Sequence, residues 1–237
     1  MPGALSVLPV EGLGEIRRGD DLAALVSGAA ARAGTPLLDG DCLVVTQKVV
    51  SKAEGRLAPL PHDDLDARRA LVESESRRIL RRRGELVIAE TPHGFVCANA
   101  GVDLSNVDDG VAALLPIDPD RSAARIRDAL RAAERLDVAV VVSDTFGRAW
   151  RHGLTDVAIG VAGIAAVVDL RDTPDTRGRP LRVTEVALAD EVAGAAELVM
   201  GKAAGVPAAI VRGLDERWFR ESSARELVRD PSDDLFR

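Results

Sequence analysis

The residues best suited to chemistry fall in four short segments. In DVAVVVSDTFGRAW (137–150) an apolar run carries the chain to Ser143, Asp144 and Thr145, and Gly147 would permit a tight turn there. A carboxylate beside a hydroxyl or carbonyl oxygen, at the end of a buried strand, sits on a rigid base where ligands commonly bind in α/β proteins. Such oxygens are hard donors suited to Mg²⁺ or Mn²⁺; the plain alternative is an Asp that caps the next turn. ANAGVDLSNVDDG (98–110) supplies a second carboxylate, Asp103, flanked by Gly101, Ser105 and Asn106. Small residues and amides let a backbone approach a phosphate or a base, while an Asx-rich solvated turn is the bland reading. Asp103 with Asp144 could hold one ion and Thr145 could reach a second, a two-metal clamp on a transferring phosphoryl group.

TQKVVSK (46–52) places Lys48 and Lys52 four residues apart, on one face whether the segment is helix or strand. Two ammonium groups on one face suit an anion, or are a solvated pair. The chain has 28 arginines but only three lysines, Lys48, Lys52 and Lys202, and Gln47 is its single glutamine. Both asparagines, Asn99 and Asn106, lie in the Asp103 segment. Where lysine persists against that bias, a compact ammonium is required, because a planar guanidinium cannot fill the same space. EGLGEI (11–16) is a Gly-rich loop after the first strand, a weak signal alone. No Walker loop, GxGxxG, CxxC or HExxH is present, and His62, His93 and His152 stand apart from one another.

A net charge of −7 argues against a general nucleic-acid binder, which needs a basic surface. Cys42 and Cys97 both lie in apolar stretches, as free thiols in a reducing compartment would. No apolar run reaches the ~20 residues of a bilayer span, and the start lacks a basic n-region, so the expectation is a cytoplasmic protein.

The elements that must position these groups mix helix and strand throughout, which predicts an α/β or α+β fold without the clean βαβ alternation of a Rossmann sheet. Strands are predicted at 5–10, 85–90, 94–101, 137–144 and 206–213, and 39–55 reads as a turn, a β-branched run of strand character and a polar continuation. Helices are predicted from Asp20 or Asp21 to Gly34, over 65–84, over 124–135 and over 184–205. The apolar run 157–170 fits either state, and the charged tail from Asp215 is partly helical.

Taken together, LPVEGLGEIRRGDDL, DGDCLVVTQKVVSKAEGR, ANAGVDLSNV, VVVSDTFGRAWRHGLTDVAIGVAG and TEVALADEVAGAAELVMGK resemble the coenzyme F-420 gamma-glutamyl ligase family, in the family's order and over nearly the whole chain. The resemblance implies a two-lobed fold, neither Rossmann nor P-loop, and a GTP-dependent ligase joining L-glutamate to a deazaflavin precursor through an acyl phosphate. It implies Asp103 and Asp144 as ligands of one divalent ion and Thr145 of a second, with K⁺ as an added cofactor. It implies Leu13, Gly14, Glu15, Ile16, Gln47, Lys52 and Asn106 as nucleotide contacts, with Met200, Gly201 and Lys202 nearby, and a homodimer. Lys48, Arg148 and Arg151 are added from placement alone, as charge for phosphate or substrate.

Gly14 departs from the resemblance, standing where many relatives have proline. The chain also ends at DDLFR, about where a flavin-reductase domain begins in some relatives, so a single ligase unit over 1–237 is expected. A metal-dependent nucleotide hydrolase, a ligase for another acid and a non-catalytic GTP sensor remain as alternatives.

Overall fold

The computed structural model describes residues 4–61 and 63–235; His62 and the ends, 1–3 and 236–237, lie outside the described residues. Twelve strands and five α-helices follow one another among them. They are β1 (Ser6–Pro9), α1 (Leu22–Arg32), β2 (Cys42–Thr46), α2 (Gln47–Glu54), β3 (Leu57–Pro59), α3 (Leu65–Ser74), β4 (Arg78–Arg83), β5 (Leu86–Glu90), β6 (Val96–Ala98), β7 (Val111–Ala113), α4 (Pro119–Glu134), β8 (Ala139–Arg148), β9 (Arg151–Ala162), β10 (Val168–Asp169), β11 (Glu185–Val186), α5 (Leu188–Met200) and β12 (Ala208–Arg212). Short 3-10 turns follow in the tail.

The main sheet runs β1-β12-β2-β8-β9. Only β2 and β8 are parallel, and every other neighbour pair is antiparallel. This is a mixed α/β fold and not a doubly wound Rossmann sheet. Alternation along the strands splits the core in two. Leu43, Val45, Val140, Val142 and Ile210 face α1, α2 and α4, whereas Cys42, Val44, Val141, Ala209 and Val211 face α5. Both faces are therefore covered, which explains why these strands read as continuous apolar runs. A separate three-stranded sheet, β4-β5-β6, packs its own small cluster of Val72, Val87, Ala89 and Ala100.

Three expectations are corrected and one open reading is decided. The helix over 65–84 stops at Ser74, with Ser76 Oγ donating to the Val72 carbonyl. Its second half is β4, because pairing with β5 offers Ile79 and its neighbours a ladder that helical propensity cannot match. The helix over 184–205 is confined to α5, stopped by Gly201 at φ 60° and ψ 171°, which favours a residue without a Cβ. The ambiguous run 157–170 is strand to Ala162. The strand at 137–144 does not end at Asp144. It continues to Arg148, and the turn falls at Ala149–Trp150, so Gly147 lies within the strand.

Helix α4 seats directly on β9. A Cβ at Gly160 would meet the Pro119 carbonyl oxygen at 2.3 Å, a backbone atom with little room to give. Gly160→Ala is expected to lower stability by about 1–3 kcal/mol through overpacking, measured by urea unfolding, and a change under 0.3 kcal/mol would contradict this packing.

Candidate functional site

Strand β2 ends beside the middle of its parallel neighbour β8, with Thr46 opposite Ser143. Helix α2 begins at the next residue after β2, and the two lysines it carries reach toward the end of the sheet. Lys48 Nζ lies 2.9 Å from Asp103 Oδ2 and donates to Ser105 Oγ at 2.7 Å. Lys52 pairs with Glu15 on the loop after β1. Of the two states left open for TQKVVSK, the chain adopts helix from Gln47, and each of these two lysines finds an acid.

Asp103 is set by an unusual backbone. Asn99, Ala100 and Gly101 all adopt positive φ, at 50°, 52° and 74°, which is costly for the first two. Asn99 Oδ1 accepts from the Val87 N–H, fixing this bend to β5, and Asp103 forms a bridge to Ala113. The Asx turn is real, since Ser105 N donates to Asp103 Oδ1 at 2.7 Å, and the other carboxylate oxygen remains for Lys48. Partial burial works against the charge on Asp103, but the hydrogen bonds from Lys48 and the Ser105 N–H outweigh it and hold the carboxyl below its usual range.

Because β8 continues past residue 144, Asp144 and Thr145 project to opposite faces of the sheet. Asp144 shares its face with Phe146 and with Val157, its partner on β9. Its charge is felt by Cys97 on β6, whose thiol is pushed up to about 12, mainly by burial and further by Asp144. Burial raises the Asp144 carboxyl to about 7, Asp103 and Asp156 push it the same way, and the Thr145 N–H and Lys48 oppose them. Thr145 faces the α5 side, where its Oγ1 donates to Asp156 Oδ1 at 2.7 Å. Lys202, carried by the turn after α5, donates to Thr145 Oγ1 at 2.5 Å and to Asp156 Oδ1 at 2.6 Å, and lies 2.9 Å from Glu197.

The remaining sequence-derived residues divide by burial. Leu13 and Ile16 are buried in the core and anchor a loop whose exposed members are Gly14 and Glu15. Gly14 has φ 72°, a conformation closed to proline, so this loop takes a path that a proline at 14 could not. Gln47 is 1 % exposed, and its amide donates inward to Ser51 Oγ and the Leu114 carbonyl. Met200 is core, and Gly201 turns the chain so that Lys202 returns to β8 and β9. Asn106 is exposed at φ 52°. Arg148 and Arg151 flank the hairpin tip, about 13 Å along an extended strand beyond Asp144, where Arg148 donates to the His152 carbonyl. His93 is tied to the Pro116 and Ile117 carbonyls instead of to the carboxylates.

Sequence reading missed Asp156 and Glu197. The available signal was Asp156 itself, the one charged residue leading into the apolar run VAIGVA, but its partner Thr145 is supplied only by strand pairing.

The donor set suits a hard divalent cation. Asp103 and Asp144 are close enough for their charges to interact, and a cation would relieve the resistance of Asp144 to ionisation. Among the described residues no group of three or more His, Cys, Asp or Glu side chains gathers to hold an ion unaided. Water and phosphate oxygens would complete the shell, as Mg²⁺ commonly requires.

The sign of the Asp144 effect follows from its raised value. Below pH 3.8 the carboxyl is neutral in both states, so nothing is lost. As pH rises to about 7 the unfolded chain ionises first, so stability falls across that window and the loss is complete above it. Metal-free Asp144→Asn is expected to gain stability relative to the wild type across this window, reaching roughly 1–3 kcal/mol near pH 8. Chemical unfolding at pH 5 and pH 8 checks this, and a gain independent of pH would contradict it.

Comparison with known proteins adds to this geometry. The family model described as F420-0:Gamma-glutamyl ligase matches residues 12–213. The coenzyme F420:L-glutamate ligase of Methanothermobacter thermautotrophicus is 45 % identical over 98 % of this chain and 99 % of its own length. The protein of the same name from Methanopyrus kandleri is 42 % identical over 98 % of both chains. That from Methanocaldococcus jannaschii is 37 % identical over 85 % of this chain and 86 % of its own. With likeness along nearly its whole length, the chain belongs to the F420-0:gamma-glutamyl ligase family of amide-forming ligases.

Proposed function

We propose that this enzyme ligates L-glutamate to the deazaflavin coenzyme F-420 precursor, using GTP to activate the precursor's carboxylate. The observation that carries the reading is the near full-length likeness to relatives named coenzyme F420:L-glutamate ligase. The clustering of Asp103, Asp144 and Lys48 around the end of β2 and the adjoining stretch of β8 supports the phosphoryl-transfer chemistry.

A carboxylate is a poor electrophile, because its oxygen is a poor leaving group. In the proposed reaction a precursor carboxylate oxygen attacks the γ-phosphorus, the bond to the β-phosphate oxygen breaks, and GDP departs from an acyl phosphate. The glutamate amine then attacks the acyl carbon, loses a proton, and expels phosphate. Asp103 and Asp144 would hold one divalent ion and Thr145 would contribute to a second; such ions, Mg²⁺ or Mn²⁺, would supply neutralisation of charge on the transferring phosphoryl group. Lys48 already rests on Asp103, and turning toward a phosphate would exchange one oxygen anion for another. Lys202 and Lys52 stand ready for the same exchange, from Asp156 and Glu15. Gly14, Glu15 and Asn106 are exposed and suit direct contact with the nucleotide. Leu13, Ile16, Gln47 and Met200 are buried and suit the holding of the segments that make such contacts. The β4-β5-β6 unit with α3 suits the smaller of two lobes. A K⁺ requirement, a homodimer and a cytoplasmic location complete the proposal. No helix among the described residues is long and apolar enough to cross a membrane.

GDP release from GTP with Mn²⁺ is expected to need both L-glutamate and the glutamate-free precursor, with a product heavier by one or more glutamyl units in the mass spectrum. Release without either substrate would indicate a hydrolase, release with another acid a different ligase, and binding without release a sensor. Asp144→Ala is expected to lower turnover by at least ~100-fold. Stabilisation by Mn²⁺, read as a melting shift, is expected to be larger at pH 8 than at pH 6, because binding requires ionised Asp144. Equal shifts at both pH values would remove Asp144 from the ligand set.

A further inference from the structure

Asp156 is 2 % exposed, the most buried acid at this end of the sheet, and no motif marks it. It stands opposite Thr145 across the β8–β9 ladder. Its Oδ1 accepts from Thr145 Oγ1 at 2.7 Å and from Lys202 Nζ at 2.6 Å, and its Oδ2 accepts from Ser143 Oγ at 3.2 Å. Lys202 Nζ closes a triangle by donating to Thr145 Oγ1 at 2.5 Å.

The triangle has a definite polarity. An ionised carboxylate only accepts, so the single Thr145 proton is committed to Asp156 and the threonine lone pairs face the ammonium. Lys202 follows the turn at Gly201, and its side chain is about half exposed at 52 %. Such a flexible stem loses entropy when it is held in place. Charge-assisted hydrogen bonds to a buried acid overcome that loss. Glu197 adds a second acidic contact at 2.9 Å, but it belongs to α5 itself and cannot tie the turn to the strands. Asp156 joins β8, β9 and the Lys202 turn at one point, and its carboxylate is the charged member of that junction on the strands. The place suits lysine and not arginine, since one compact nitrogen sits within 2.9 Å of oxygens on Thr145, Asp156 and Glu197.

We infer that Asp156 is a positioning residue: it sets the Lys202 ammonium where the phosphates of the nucleotide bind and, by taking the Thr145 proton, leaves that hydroxyl's lone pairs for the ammonium and for the second divalent ion proposed above. Too buried to meet the nucleotide itself, it acts through those two residues. This inference rests on the nucleotide reading proposed above.

The test is binding of a non-hydrolysable GTP analogue with Mn²⁺ to the full chain, alongside NMR of ¹⁵N-lysine-labelled protein. Three lysines make the ammonium signals assignable. Asp156→Asn, which keeps shape and one acceptor, is expected to weaken binding at least tenfold. It should also abolish the hydrogen-bonded Lys202 signal while leaving those of Lys48 and Lys52 in place, a pattern that general unfolding would not produce. Lys202→Met is expected to match that loss, and the double variant to be no weaker than the worse single one, because both changes remove one linkage. Lys202→Arg keeps the charge and leaves Asp156 itself unchanged; it is expected to bind like Lys202→Met. Asp156→Asn binding within twofold of wild type, additive losses in the double variant, or Lys202→Arg binding like wild type would each overturn the inference. A wild-type chain that does not bind the analogue would overturn the nucleotide reading and this inference with it. A wild type that binds, beside an unchanged Asp156→Asn, would overturn the inference alone.

Discussion

The two-residue alternation of strand β8 is the constraint on which the site depends. Side chains leave a strand on opposite faces in turn, and β8 stays extended through Arg148. Asp144 therefore turns toward α2 and β6, where Lys48, Asp103 and Cys97 lie, and Thr145 turns toward α5, where Asp156, Glu197 and Lys202 lie. Two charge clusters are built on one rigid element, separated by the thickness of a backbone. The register with β9 makes the second cluster, since it places Asp156 across from Thr145. A one-residue slip would exchange the faces and dissolve both clusters.

In both clusters an acidic group is matched with a lysine ammonium. Lys48 lies on Asp103 and Lys202 on Asp156, while Lys52 meets Glu15 beside them. An anion arriving with its own cation can exchange partners with such pairs without leaving a charge bare. On the proposed reading, the same pairs would serve both the acidic site at rest and the handling of phosphate. The pairing also gives the scarcity of lysine in an arginine-rich chain a physical sense: every lysine closes on an acid near the end of the sheet, where one compact nitrogen fits.

Much of the fold was legible from local signals. Asp21 caps α1 through its side chain, as the sequence suggested, and the apolar runs of β2, β8 and β12 form the covered centre of the sheet. Two of the misreadings have traceable causes. Residues 78–83 carry arginines and spaced aliphatics that suit a helix, but β5 supplies a ladder partner. The segment after Met200 retains helical composition, but Gly201 and the pull of Asp156 on Lys202 turn it away. At β4 a long-range partner outweighs an intrinsic preference of a few tenths of a kcal/mol per residue, whereas after Met200 the stop is set by a local glycine.

The sequence by itself determined which groups exist to do chemistry and where the chain can be buried, because side-chain type and apolar periodicity are local properties. Asp103, Asp144, Thr145 and the three lysines could be singled out on that basis, and so could the mixed α/β class. Only the tertiary structure decided which of these groups meet. It separated Asp144 from Thr145, turned Gln47 and Met200 inward, left Arg148 and Arg151 at a distant hairpin tip, and brought in Asp156 and Glu197. The physical reason is that strand register and packing join residues far apart in the chain, and no local pattern encodes the partner that a buried carboxylate will find.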